Sequence, residues 1–210
     1  MFRLICLLIG YLFGCMQTAY FIGRIFKKTD IREHGSGNAG ATNVVRTFGA
    51  GFGAAVFVVD ILKAVVAAVL CAYIFSGSTV FSPIVDEPDY LPMLYAGLGA
   101  ILGHNFPVFL KFKGGKGAAC TIGVILALNV SIAALCYLLA IIALSFTKYV
   151  SLASLTLLAA FPTLMIFFEF PPEEVALAFI ICALGWIRHK ENISKILQGT
   201  ERKLGSGKKV

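Results

Sequence analysis

An all-α, multi-pass membrane protein is what this sequence predicts, and three observations carry the prediction. Mean hydropathy is +0.87. Of 210 residues, 59% are hydrophobic and 14% charged, against roughly 45–50% and about 25% in soluble chains. The apolar residues fall in repeated runs near the roughly 20 residues that a helical span requires. A water-soluble domain is excluded, and residues 1–210 read as a single membrane-embedded domain.

Seven runs are predicted as spans, at 4–23, 52–75, 91–104, 117–129, 131–146, 150–168 and 174–187. The first follows Arg3 and continues through Cys15 to Ile25, with basic residues after its main body, so it reads as a retained span rather than a signal peptide. The second contains Asp60 and Lys63, three apart. An ionisable pair inside a span marks either function or a salt bridge that fixes helix packing. The third ends on Gly103-His104-Asn105. The stretch 117–146 is long for one span and short for two; Asn129 divides it and Lys148 closes it, so two short spans fit, and five spans in all is the alternative. The sixth gives way to Glu169, Pro171 and Pro172, where helices end, and the seventh stops before Arg188.

Charge assigns the sides. With seven spans, sixteen of the eighteen Lys and Arg fall on one face, including Arg24, Lys27, Lys28, Arg32, Arg46, Lys111, Lys113, Lys116, Lys148 and the basic C-terminal stretch. The other face receives Arg3 and two acidic clusters, Asp86, Glu87 and Asp89, then Glu169, Glu173 and Glu174. By the positive-inside rule the N-terminus is outside and the C-terminus cytoplasmic. The net charge of +7 therefore records topology rather than nucleic-acid binding. The six cysteines are scattered through apolar stretches without metal-ligand spacing, so no metal and no cofactor is expected.

Three polar stretches, all assigned to the cytoplasmic face, are richer in special residues than connectors require. The first, Gly35 to Gly49, combines glycines with Ser36, Asn38, Thr42, Asn43 and Arg46 as donors suited to an oxyanion. The second contains His104 and Asn105, then Gly114-Gly115-Lys116-Gly117 opening into an apolar helix. Glycines and a lysine at a helix N-terminus make an anion site, because free amides and the positive end of the helix dipole converge there. It is not a Walker A loop, since Gly117 stands where that motif has Ser or Thr. The third stretch carries His189 and Asn192, three apart and on one face if the segment is helical, and continues to Glu201.

Together these stretches resemble one family, the bacterial acyl-phosphate:glycerol-3-phosphate acyltransferases of the PlsY type, over nearly the whole chain. The resemblance implies a seven-span inner-membrane enzyme making lysophosphatidic acid. It implies an essential Ser and Arg at Ser36 and Arg46, a second motif that binds glycerol 3-phosphate, a functional His and Asn at His189 and Asn192, and a structural Glu at Glu201. Ala64 stands where the family commonly has Gly, and Cys120 where it has Thr. The His-x4-Asp signature of other glycerolipid acyltransferases is missing, because Ala39, Phe109 and Ser194 follow the three histidines at that spacing.

The implied substrates, acyl phosphate and glycerol 3-phosphate, require two anions held close together and lipid-like walls for the acyl chain. No nucleic acid and no obligate protein partner is implied. Because phosphate is a good leaving group, direct attack is favoured over an acyl-enzyme on Ser36, with the proton taken by substrate or His189. The alternative function is a transporter or channel for organic phosphates, although such sites usually lie near the midplane on broken helices.

Overall fold

The structure, a computed structural model, describes residues 1–76 and 89–205. Among these there is no strand. Ten α-helices run in order: α1 (Phe2–Gly14), α2 (Thr18–Phe26), α3 (Ala41–Phe48), α4 (Ala50–Ser76), α5 (Leu91–Asn105), α6 (Ala118–Leu128), α7 (Val130–Thr147), α8 (Val150–Phe167), α9 (Pro172–Arg188) and α10 (Lys190–Leu197). They form two compact units, Met1–Asn129 and Val130–Val210.

Among the described residues, five helical stretches are long and apolar enough to cross a membrane: Phe2–Phe26, Ala50–Phe75, Leu91–Leu110, Val130–Thr147 and Val150–Phe167. The other two expected spans appear as α6, of 11 residues, and α9, of 17. Of the expected acidic clusters, Asp86 and Glu87 lie outside the described residues, as do Lys208 and Lys209 at the basic C-terminus. Asp89 is described, and its carboxylate accepts from Leu91 N at the start of α5.

In the first unit α1 lies backbone to backbone on α5. A Cβ at Gly10 or Gly14 would strike the carbonyls of Ala96 or Ala100, and one at Gly99 or Gly103 would strike those of Leu7 or Tyr11. Small residues four apart let two helices approach this closely in lipid, where dispersion replaces the hydrophobic drive. The first span is not continuous. It breaks at Cys15–Gln17, and the freed backbone carbonyls find side-chain donors. Gln17 Nε2 donates to Gly14 O at 3.2 Å, and Lys63 Nζ donates to Met16 O at 2.7 Å. Inside a membrane such a break is tolerated where the freed carbonyls are met from within the protein, as those of Gly14 and Met16 are here.

The second unit stacks α8 on α7 and α9, with Gly185 of α9 seated against Leu158 of α8. After α10 the chain returns to the start of α8, where Leu204 N donates to Lys148 O at 2.7 Å.

Candidate active site

The loop before α3 is folded around one side chain. Asn43, 2% exposed, donates from Nδ2 to the carbonyls of Ile31 (3.2 Å), His34 (2.9 Å) and Asn38 (3.0 Å), and its Oδ1 accepts from Ser36 N at 2.9 Å. Gly35 makes the turn at φ +61°, and a Cβ there would strike Asn43 Oδ1. The sequence reading places Asn43 among the phosphate-binding residues; in this structure its amide hydrogens and its oxygen are engaged by the loop backbone. The loop presents Ser36, exposed, with its backbone pinned beside α3. Thr42 and Arg46, four apart on α3, share a helix face, with Arg46 exposed in the last turn. Asn38 is half-buried next to the Gly40 cap of α3.

Arg32, which the sequence offers only as one charge among many, joins this loop to the next. Its Nη1 donates to the carbonyls of Leu110 (3.1 Å) and Lys113 (3.3 Å), while Nε and Nη2 grip the Asp30 carboxylate. The guanidinium holds the Asp30 carboxyl below the usual carboxylate range. The available signal was Asp30 two residues ahead of Arg32, the spacing of an Asx turn, and Asp30 Oδ1 does accept from Arg32 N at 3.0 Å.

In the second motif Gly114 N donates to Asn105 O (3.2 Å) and Gly115 N to His104 O (2.9 Å). The sequence reading places Gly114 and Gly115 in the anion site, and in the structure both amides donate to the end of α5. The glycines serve close approach, because a Cβ on Gly114 would meet the His104 carbonyl and one on Gly115 the His104 imidazole. Gly117 caps α6 at φ +82°, a left-handed conformation suited to glycine. Lys116, half-exposed, therefore stands at the N-terminus of α6, where first-turn amides lack intrahelical acceptors and the dipole favours an anion. Asn105 is fully buried, its amide lies against Gly117, and neither amide atom has a hydrogen-bond partner within the protein. His104, 3% exposed, contacts Lys63 and through it Asp60.

The third motif belongs to the second unit. The seventh apolar run, expected to stop before Arg188, is α9, which closes at Arg188, and His189 sits between α9 and α10 as cap to both. His189 Nδ1 lies 2.8 Å from Gly185 O. A carbonyl only accepts, so Nδ1 carries the hydrogen and the neutral ring keeps its lone pair on Nε2. Asn192 Nδ2 donates to Glu201 Oε1 at 2.9 Å, and Ser151 Oγ donates to the same oxygen at 2.7 Å. Separately, an apolar cavity of about 550 Å³ runs along α8, bounded by Leu139, Trp186, Ile193 and Ile196.

No group of three or more His, Cys, Asp or Glu suited to a metal ion occurs among the described residues. The family model described as Glycerol-3-phosphate acyltransferase matches residues 4–199, a range that takes in Ser36, Arg46, Lys116, His189 and Asn192. The glycerol-3-phosphate acyltransferase of Shouchella clausii (strain KSM-K16) is 42% identical over 203 residues, covering 94% of each chain. That of Halalkalibacterium halodurans is 41% identical over 209 residues, 97% of each. The crystal structure of PlsY (YgiH), an integral membrane glycerol 3-phosphate acyltransferase, in its glycerol 3-phosphate form superposes with a TM-score of 0.85 at 34% identity, covering 97% of this chain and 96% of that one. Its lysophosphatidic acid form gives a TM-score of 0.82. Matches of this length and identity identify an all-helical membrane acyltransferase, and the chain belongs to the glycerol-3-phosphate acyltransferase family.

Proposed function

We propose that residues 1–210 act as one acyltransferase that moves a fatty acyl group from acyl phosphate to the sn-1 hydroxyl of glycerol 3-phosphate. The hydroxyl oxygen attacks the acyl carbonyl carbon, the bond from that carbon to the phosphate oxygen breaks, and lysophosphatidic acid and inorganic phosphate are released. The hydroxyl proton passes to the departing phosphate or to His189 Nε2, the ring nitrogen that the Gly185 contact leaves basic.

The observation that carries this reading is Lys116 directly before the Gly117 cap of α6, which sets a cationic residue beside the first-turn amides of a helix N-terminus. That site suits the phosphate of the acceptor, and the Thr42 and Arg46 face of α3 suits the second phosphate. Orientation and electrostatic stabilisation supply most of the rate. The cavity along α8 is apolar and lies within the size range of small-molecule sites. Support from outside the chain comes from the neighbour with glycerol 3-phosphate and lysophosphatidic acid forms, two compounds that differ by one acyl group.

The cytoplasmic membrane is the proposed location, with seven spans, the N-terminus outside and the active site toward the cytoplasm, on the strength of the basic bias. Purified protein in detergent, given acyl phosphate and glycerol 3-phosphate, should release lysophosphatidic acid and phosphate in equal amounts. Phosphate release without acylated product would refute the transfer reaction, and binding without turnover would favour a transporter.

A further inference from the structure

The buried pair on α4 is aimed at a third residue. Lys63 Nζ lies 2.7 Å from Asp60 Oδ1, 2.7 Å from Met16 O, 3.3 Å from Gly14 O and 3.0 Å from His104 Nδ1. The nearest of these neighbours include a carboxylate oxygen at ion-pair distance, which favours the charged amine, so the nitrogen is an ammonium whose three hydrogens are shared among the four. An ammonium offers donors only. A ring nitrogen at 3.0 Å from it must hold a lone pair, which puts the hydrogen of neutral His104 on Nε2. Asp60 Oδ1, 3.8 Å from the same Nδ1, is too distant to hold the opposite tautomer by a hydrogen bond.

The far edge of that ring is the floor of the glycine loop. A Cβ on Gly115 would collide with His104 Nε2, and the backbone of His104 accepts from Gly115 N at 2.9 Å. Ring and backbone of one residue thus hold the segment whose next member is Lys116. On the other side, Lys63 is itself fixed by a carboxylate and by the carbonyls of the break between α1 and α2, while Thr18 Oγ1 donates to Asp60 Oδ1 at 3.0 Å.

We propose that Lys63 is a positioning residue for acyl transfer: anchored by Asp60 and by the α1–α2 break, it holds His104 as the Nε2–H tautomer against Gly115 and so sets the place of Lys116. This role rests on the reading that the Lys116 loop holds the acceptor phosphate. A salt bridge that merely pinned α4 to α1 would be indifferent to the tautomer of His104.

The full chain contains three histidines, His34, His104 and His189, so ring-¹⁵N-labelled histidine in detergent-solubilised protein gives few enough signals to assign. His34→Gln and His189→Gln identify two of them and leave the third. In the wild type, His104 should show a bare Nδ1 and a protonated Nε2. In Lys63→Met the bare Nδ1 signature should be lost, and KM for glycerol 3-phosphate should rise on the order of tenfold or more, with KM for acyl phosphate changing less. Lys63→Met leaves Asp60 buried beside no cation, so Asp60→Asn/Lys63→Met, which removes both charges, guards against a failure to fold. It should give the same spectral and kinetic changes.

A wild-type His104 protonated at Nδ1 overturns the proposal without any variant. So does a folded Lys63 variant that keeps the bare Nδ1, or one that loses it with both KM values unmoved. A wild type with the expected tautomer but no transfer activity would instead overturn the functional reading, and with it the role of Lys63 in the reaction.

Discussion

Glu201 Oε1 accepts from Asn192 Nδ2 at 2.9 Å, which turns the carbonyl oxygen of the Asn192 amide away from the carboxylate. The carboxylate is in turn held by Ser151 Oγ, so the chain beyond α10 orients a candidate catalytic side chain. Glu201→Gln keeps the shape and loses the charge of the acceptor. A hydrogen bond to a charged group contributes about 1.5–3 kcal/mol, and losing the lower figure corresponds to about a tenfold fall in rate. The expected result is a lower kcat with KM little changed in protein that elutes normally on size exclusion.

The clamp between Arg32 and Asp30 should be sensitive to acid. Two oxygens receiving guanidinium hydrogens depress the Asp30 carboxyl below its unfolded value, so its stabilisation is complete above about pH 3.9 and is lost as pH falls through the lower folded value. Asp30→Asn should lower the unfolding temperature at pH 7. The gap from wild type should close as the pH is taken below 4 in thermal scans in detergent.

Arg32→Lys keeps the charge but cannot serve both Asp30 and the carbonyls of Leu110 and Lys113. Cleavage by added protease within 108–113 should increase, and KM for glycerol 3-phosphate should rise. Unchanged cleavage and KM would remove Arg32 from any part in holding the second loop.

Asn43→Asp is nearly isosteric, yet it strips the donors from three backbone carbonyls and buries a carboxylate facing them. Leaving buried acceptors unsatisfied costs roughly 1–3 kcal/mol for each group. Activity should be abolished and residues 34–40 should become protease-sensitive, whereas Asn38→Ala should leave the loop resistant.

Direct transfer and covalent catalysis separate at Ser36. Wild-type protein incubated with radiolabelled acyl phosphate and no acceptor, then quenched in acid, should carry no label. Stable label on Ser36 would make it the nucleophile. Arg46→Lys should lose on the order of 10²-fold in kcat/KM, because a fixed fork of donors matches a phosphate and a single ammonium does not.

Much of the fold was legible because lipid enforces a simple rule: six of the seven predicted apolar runs each coincide with one helix of the structure, and the first with two. The break at Cys15–Gln17 was not, since it depends on Lys63, some fifty residues away, meeting the carbonyls it frees. The backbone contact of α1 with α5 left a trace in the spacing of Gly10 with Gly14 and Gly99 with Gly103, but partner choice between helices is a tertiary matter. At the site, residue types announced phosphate chemistry without saying which groups face a ligand. Asn43 and the amides of Gly114 and Gly115 have suitable donors and spend them on the protein. Such assignments follow only from knowing which carbonyl stands opposite.

The buried ammonium of Lys63 also bears on how the chain is made. Its carboxylate is one turn away on the same helix, its two carbonyls lie on the preceding span, and His104 follows 41 residues later. Chains emerge from the ribosome N-terminus first, so the ionic groups all lie on the spans that precede α5 in the order of synthesis. A lone charge in the bilayer interior costs several kcal/mol, and this order of synthesis spares the nascent protein that intermediate. By the time α5 enters the bilayer it docks onto a hairpin whose electrostatics are already closed, and the tautomer of His104 is chosen on arrival.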